Sequence, residues 1–220
     1  VTQSACPWKS HTSPKDGAIR GVRMNSDYTL PVEKALNTAF AMATPTIKQA
    51  HKVSLSACAS AMLDGGRSAS RLRVQQELNV GVCIPIAGQV NGQLVIMAPW
   101  TSIQRLWAVC LGSAPLTPTE LNMDQIMTVS SIFQICADSF VEAGLRGKGL
   151  KVEVLQALVA VDMPSTMLQT MALEAVRRKM SILPYQVQLE IAEIEIAAQA
   201  FVVMRDSKRR LINTRGEVAA

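Results

Sequence analysis

The residues best placed to do chemistry lie in one stretch, Leu116 to Gly144. Spaced along it are Asp124, Thr128, Ser131, Gln134, Asp138 and Glu142. On a helix, at about 100° per residue, all six fall within roughly 60° of Ser131. Acidic and amide side chains one turn apart reach the same spot. The face could gather polar groups around a ligand, or be an ordinary solvated surface. Other chemistries lack their parts. Cys6, Cys58, Cys83, Cys110 and Cys136 are scattered and contain no CxxC pair, so they read as reduced core thiols of a cytosolic protein. His11 and His51 are far apart, and no spacing supports a zinc site or a Cys/His nucleophile. Gly88 to Gly92 lies between strand-like segments and opens no helix, so it is no phosphate loop.

A long helix must carry the polar line, and its ends are marked. Thr117, Pro118 and Glu120 spell a capping box with proline at the first helical position, and Gly144 stands where a stop is expected. Leu121, Val129, Ile132, Phe133, Cys136 and Phe140 form the apolar stripe opposite, so the helix covers a core.

The 220 residues are 49% apolar and 18% charged, a globular balance with length for a sizeable core. No apolar run approaches the roughly 20 residues of a membrane span, and residues 1–23 hold no signal-like apolar stretch. The 11 methionines read as core filler, or as a Met-lined docking groove. The net charge of +5 gathers at the ends. Residues 1–24 read as a disordered basic lead and 206–220 as a basic tail, around a single domain at 25–205. The basic ends are solvated, or hold an acidic partner or nucleic acid; with no aromatics interleaved for base stacking, nucleic acid is the lesser reading. The chain opens on valine, and the true start stays open between Val1 and Met24.

Along the chain, Leu30 to Ala43 reads as a helix with Val32, Ala35, Leu36, Ala39, Phe40 and Ala43 inward, broken or kinked at Thr44-Pro45, with Thr46 to His51 as a further turn or two of helix. Lys52 to Ala61 reads as a strand, Asp64 to Arg67 as a turn, and Ala69 to Glu77 as a connection. Leu78 to Ile86 is a strand covered on both faces, with Pro85 marking an edge or bulge. It returns through Gly88–Gly92 into Gln93–Met97. Thr101 to Leu111 is a helix stopped by Gly112, and after the long helix Leu150 to Val161 reads as one strand. Ser165 to Met180 is a helix with Leu168, Met171, Ala175 and Val176 inward. Tyr185 to Ile191 and Ile194 to Val202 are strands whose phase slips at a turn or bulge near Ala192-Glu193, with a helix over Glu190 to Ala200 as the weaker alternative. The halves look alike, which suggests internal duplication and an α+β fold.

From Leu30 to Met204 the chain resembles the CheC/CheX/FliY superfamily of chemotaxis phosphatases, whose fold the FliM middle domain shares. The best-matching block is VGVCIPIAGQVNGQLVIMAP, a strand–GxxxG–strand hairpin, followed by a short helix ending in LG, the long helix, and a strand closing on VDMPS. The resemblance implies a CheC-like pseudo-twofold fold: an antiparallel sheet with two long helices packed on one face. Active relatives carry Glu-x-x-Asn on these helices; the carboxylate anchors a phosphorylated response regulator and the amide places a water for in-line attack on its aspartyl phosphate. Laid on this chain, the pair falls at Ser131 and Gln134, with Asp138 one turn on as a substitute carboxylate. In the first helix the nearest candidates are Glu33 and Asn37, spaced by four, followed by Ala41-Met42-Ala43 where relatives have glycines. Both copies are degenerate.

The resemblance therefore implies a cytoplasmic domain that binds a phosphorylated CheY-like receiver, its phosphatase activity left open. It has no cofactor of its own, since Mg²⁺ comes with the phosphorylated partner. The alternatives are a non-enzymatic interaction module like the FliM middle domain, in contact with a flagellar switch component, and a basic-tailed nucleic-acid binder. CheX-type relatives pair, so a homodimer fits too.

Overall fold

The computed structural model describes residues 29–62 and 77–205. The basic lead and tail, the turn at Asp64 to Arg67 and most of the connection that follows lie outside these residues. Helix α1 (Thr29–His51) leads to β1 (Leu55–Ala61), β2 (Asn79–Gly88), β3 (Gly92–Pro99) and α2 (Trp100–Leu111). Then come α3 (Met123–Gly144), β4 (Val152–Val154), β5 (Leu158–Asp162), α4 (Pro164–Arg178), β6 (Met180–Ile191) and β7 (Ile194–Arg205). The element order is the expected one, and the fold is α+β.

The seven strands form one sheet, ordered β1-β6-β7-β3-β2-β4, with β5 also on β2, and every pairing is antiparallel. The order is a palindrome. The strand after α1 crosses to pair with the second hairpin, and the strands after α3 cross to pair with the first. The halves are thus interlocked about a pseudo-twofold axis between β3 and β7.

Alternation along the strands sends Val80, Val82, Ile84, Leu94, Ile96, Val187, Leu189 and Ile196 to one face. There they meet Leu36, Phe40 and Ile47 of α1, Trp107 of α2, and Ile132, Phe133, Cys136 and Phe140 of α3. The long helices run antiparallel over this face: Ala35 lies against Gly144 at one end and His51 against Ser131 at the other. On the opposite face Cys83, Val95, Met97, Phe201 and Val203 are covered by Met167, Met171, Ala172 and Ala175 of α4. Methionine fills this second core, while Met123 and Met127 are exposed. Among the described residues α3 alone is long and apolar enough to cross a bilayer, and its apolar stripe is spent in the core.

Several boundaries differ from expectation. Helix α1 does not break at Pro45. The carbonyl left without its donor belongs to Ala41, which is exposed to water, while Ala43 and Ile47 are fully buried and hold the next turn down. Thr44 Oγ1 bridges this turn, 3.0 Å from the Phe40 carbonyl and 3.1 Å from that of Leu55. Helix α3 begins at Met123 rather than at Pro118, because Pro118–Glu120 forms only a 3₁₀ turn and Leu121 leaves it extended (φ −58°, ψ 121°). The working box is Asn122 with Gln125: Asn122 Oδ1 accepts from Gln125 N and Gln125 Oε1 from Asn122 N, both at 3.0 Å.

Gly144 is the last residue of α3, not its stop. A Cβ there would meet Ala35 Cβ at 3.3 Å, so glycine serves the close approach of α1; the left-handed turn falls at Gly149 (φ 78°). The expected strand at 150–161 is two strands, and Pro85 sits where β2 changes partner from β5 to β4, so no ladder donor is missed. In α4 the buried line runs through Met167, Met171 and Ala175; Val176 is exposed. The phase slip at Ala192-Glu193 is a two-residue hairpin turn, with both residues left-handed at φ 52° and 65°.

Candidate functional site

Strand β1 is an edge of the sheet, so its outer backbone groups need partners. Helix α1 supplies them. Asn37 Nδ2 donates to the Ala59 carbonyl at 2.9 Å, and its Oδ1 accepts from Ala59 N at 2.7 Å. Glu33 Oε2 accepts from Ala61 N at 2.7 Å. The spacing of four that departs from the Glu-x-x-Asn pattern is what makes this fit. Four helical residues rise about 6 Å, and two strand residues span about 6.6 Å, so the two side chains meet alternate backbone groups of one edge. Glu33 also lies near Tyr185, whose hydroxyl is held above its ordinary range by burial first and then by this carboxylate.

In the second half Gln134 does the corresponding job. Its Oε1 accepts from Ala157 N at 2.9 Å, at the entry to β5, as Asn37 serves the strand after α1. The two bonds span 23 and 22 residues, a match that the duplicated halves explain. The Gln134 side chain also lies beside the Asp138 carboxylate. Asp138 is exposed. Partial burial raises its proton affinity above the ordinary value, opposed by Arg146 and by the Gln134 side chain.

Ser131 stands apart from that pair. It faces α1, half-buried, with Oγ 3.0 Å from His51 Nε2. Burial lowers the pKa of His51 below the usual 6.5. The structure thus brings Gln134 and Asp138 together, sends Ser131 to the last residue of α1, and leaves Glu33 and Asn37 on β1. His51 is the residue that sequence reasoning passed over. It is 80 positions from Ser131, and a helix broken at Pro45 would not have carried it to α3. Of the cysteines, Cys83 and Cys136 are buried as core thiols, with Cys136 pushed up to about 12, whereas Cys58 is exposed. Among the described residues no three His, Cys, Asp or Glu side chains converge as metal ligands would.

No family model and no curated protein matches the chain. Solved structures do. FliY of Thermotoga maritima superposes with a TM-score of 0.56 at 11% identity, over 86% of this chain and 96% of that one. The FliM middle domain of Vibrio alginolyticus superposes at 0.50 and 12% identity, over 83% and 98%. The likeness is one of fold, and the fold is the one FliY shares with the FliM middle domain.

Proposed function

We propose that the chain is a protein-binding domain of chemotaxis or flagellar signalling, docking a phosphorylated CheY-like receiver on the outer surface of α1 and α3. On this reading it does not turn over the receiver's aspartyl phosphate by placing a water. The observation that carries this second half is the fate of the amides: the Asn37 carbonyl oxygen accepts from the Ala59 N–H of β1, and that of Gln134 from the Ala157 N–H just before β5. A hydroxyl, Ser131, stands where the motif has its carboxylate. A water-placing amide needs its polar atoms turned toward the ligand. The fold and the sequence resemblance support the signalling context, and Mg²⁺ belongs to the receiver's own phosphorylation site.

The test is a titration of the chain with a CheY-like receiver, with and without beryllofluoride and Mg²⁺, beside a multiple-turnover assay of phosphate release. Saturable binding strengthened by beryllofluoride, with no catalytic release, is expected. Absence of binding overturns the docking; release over many turnovers, lost in Gln134→Ala, overturns the non-hydrolytic half. A receiver that fails while a flagellar switch component binds would favour a FliM-like role.

A further inference from the structure

Receiver docking leaves one contact unused: the Ser131–His51 pair at 3.0 Å in the α1–α3 seam. A hydroxyl within hydrogen-bond reach of an imidazole is the arrangement of a nucleophile beside its base. Both side chains are partly open to solvent, so a donor can reach them. Burial keeps the imidazole unprotonated at neutral pH, and in the tautomer protonated on Nδ1 its Nε2 accepts the serine proton. The surroundings suit an anion. Lys48, one turn before His51, and Lys52, next to it, are both exposed at the end of α1. Along α3 the flanking acids, Asp124 and Asp138, are each seven residues from Ser131, about two turns or 10 Å away.

We propose that Ser131 is a phosphoryl acceptor with His51 as its base, and that the donor is an acyl phosphate such as a receiver carries on its aspartate. The donor's identity rests on the receiver reading; the acceptor rests on the geometry. Ser131 Oγ attacks phosphorus in line with the acyl oxygen. The bond between phosphorus and that oxygen breaks, and the oxygen leaves with the electron pair as a carboxylate. The Oγ–P bond forms, the hydroxyl proton passes to His51 Nε2, and the imidazolium returns it to solvent. The exposed Lys48 and Lys52 at the same end of α1 supply positive charge for the new phosphate dianion. With Asn37 and the Gln134 carbonyl oxygen engaged by backbone groups rather than a water, the reaction stops at one phosphoryl group per chain.

The experiment incubates the full chain with ³²P-acetyl phosphate and Mg²⁺, and separately with a ³²P-phosphorylated receiver. It counts label that survives acid, which destroys aspartyl phosphate and spares phosphoserine. Up to one acid-stable label per chain is expected, mapping to Ser131 by mass spectrometry. It should be absent in Ser131→Ala and formed at least 10-fold more slowly in His51→Gln, since a positioned base contributes about 10²–10⁴-fold. Melting curves confirm that both variants fold. No acid-stable label from either donor, or equal label in Ser131→Ala, overturns the acceptor; an unchanged rate in His51→Gln overturns the base. Label from acetyl phosphate alone supports the pair and counts against the receiver, whereas receiver binding without any label sinks this inference and spares the docking.

Discussion

Replacing Asn37 with alanine separates a structural amide from a catalytic one. The side chain makes two hydrogen bonds to Ala59, at 2.9 and 2.7 Å, in a half-buried setting on the sheet edge. Each bond contributes about 1 kcal/mol net. Alanine returns roughly 0.6 kcal/mol through better helix propensity. Leaving the Ala59 N–H and C=O partly desolvated and unpaired adds about 1 kcal/mol more. The expected loss is therefore about 2 kcal/mol, or roughly 1 M in urea midpoint at an m-value near 2 kcal/mol/M. Urea unfolding measures it, and hydrogen exchange locates it: the Ala59 amide should lose protection while amides on β3, in the middle of the sheet, keep theirs. A loss under about 0.5 kcal/mol with Ala59 still protected would refute the edge-pairing role and return Asn37 to the list of groups free to act on a ligand.

Asn122→Ala should cost about 1 kcal/mol through the lost N-cap, and Thr117→Ala no more than about 0.5, the reverse of what the threonine box suggests; thermal melts of the two variants decide. Ala192→Asn with Glu193→Gly should stabilise the domain by roughly 1 kcal/mol, because both positions are left-handed and neither now holds a residue suited to it; an unchanged or lowered midpoint would show the turn is not strained. His51 binds its proton less readily folded than unfolded, so its contribution is complete above pH 6.5 and declines as pH falls toward its lowered native pKa. Stability measured between pH 7.5 and 5 should show that decline in the parent and a flatter profile in His51→Gln.

The polar face of α3 shows where pattern reading stops. Its period was enough to place Ser131, Gln134 and Asp138 on one side of a helix, yet the three part company. Ser131 turns to α1, Gln134 reaches back to Ala157, and Asp138 stays in water beside it. Helical phase assigns a direction about one axis; the partner depends on which element packs there. The same limit hid the roles of Glu33 and Asn37, whose spacing of four looked like a broken motif until β1 lay alongside.

What the sequence by itself determined is what local forces determine: the order of elements, the two apolar helix stripes, the alternation of β6 and β7, the Gly88–Gly92 return and the likeness of the halves. Each follows from a period or a turn residue read within about a dozen positions. Only the tertiary structure decided that β1 would cross to β6 and become an edge, that α1 would run through Pro45 because Ala43 and Ile47 are buried beyond it, and that His51 would meet Ser131 80 residues away. These depend on burial against distant segments, which outweighs the few kcal/mol a proline costs and which no local pattern records.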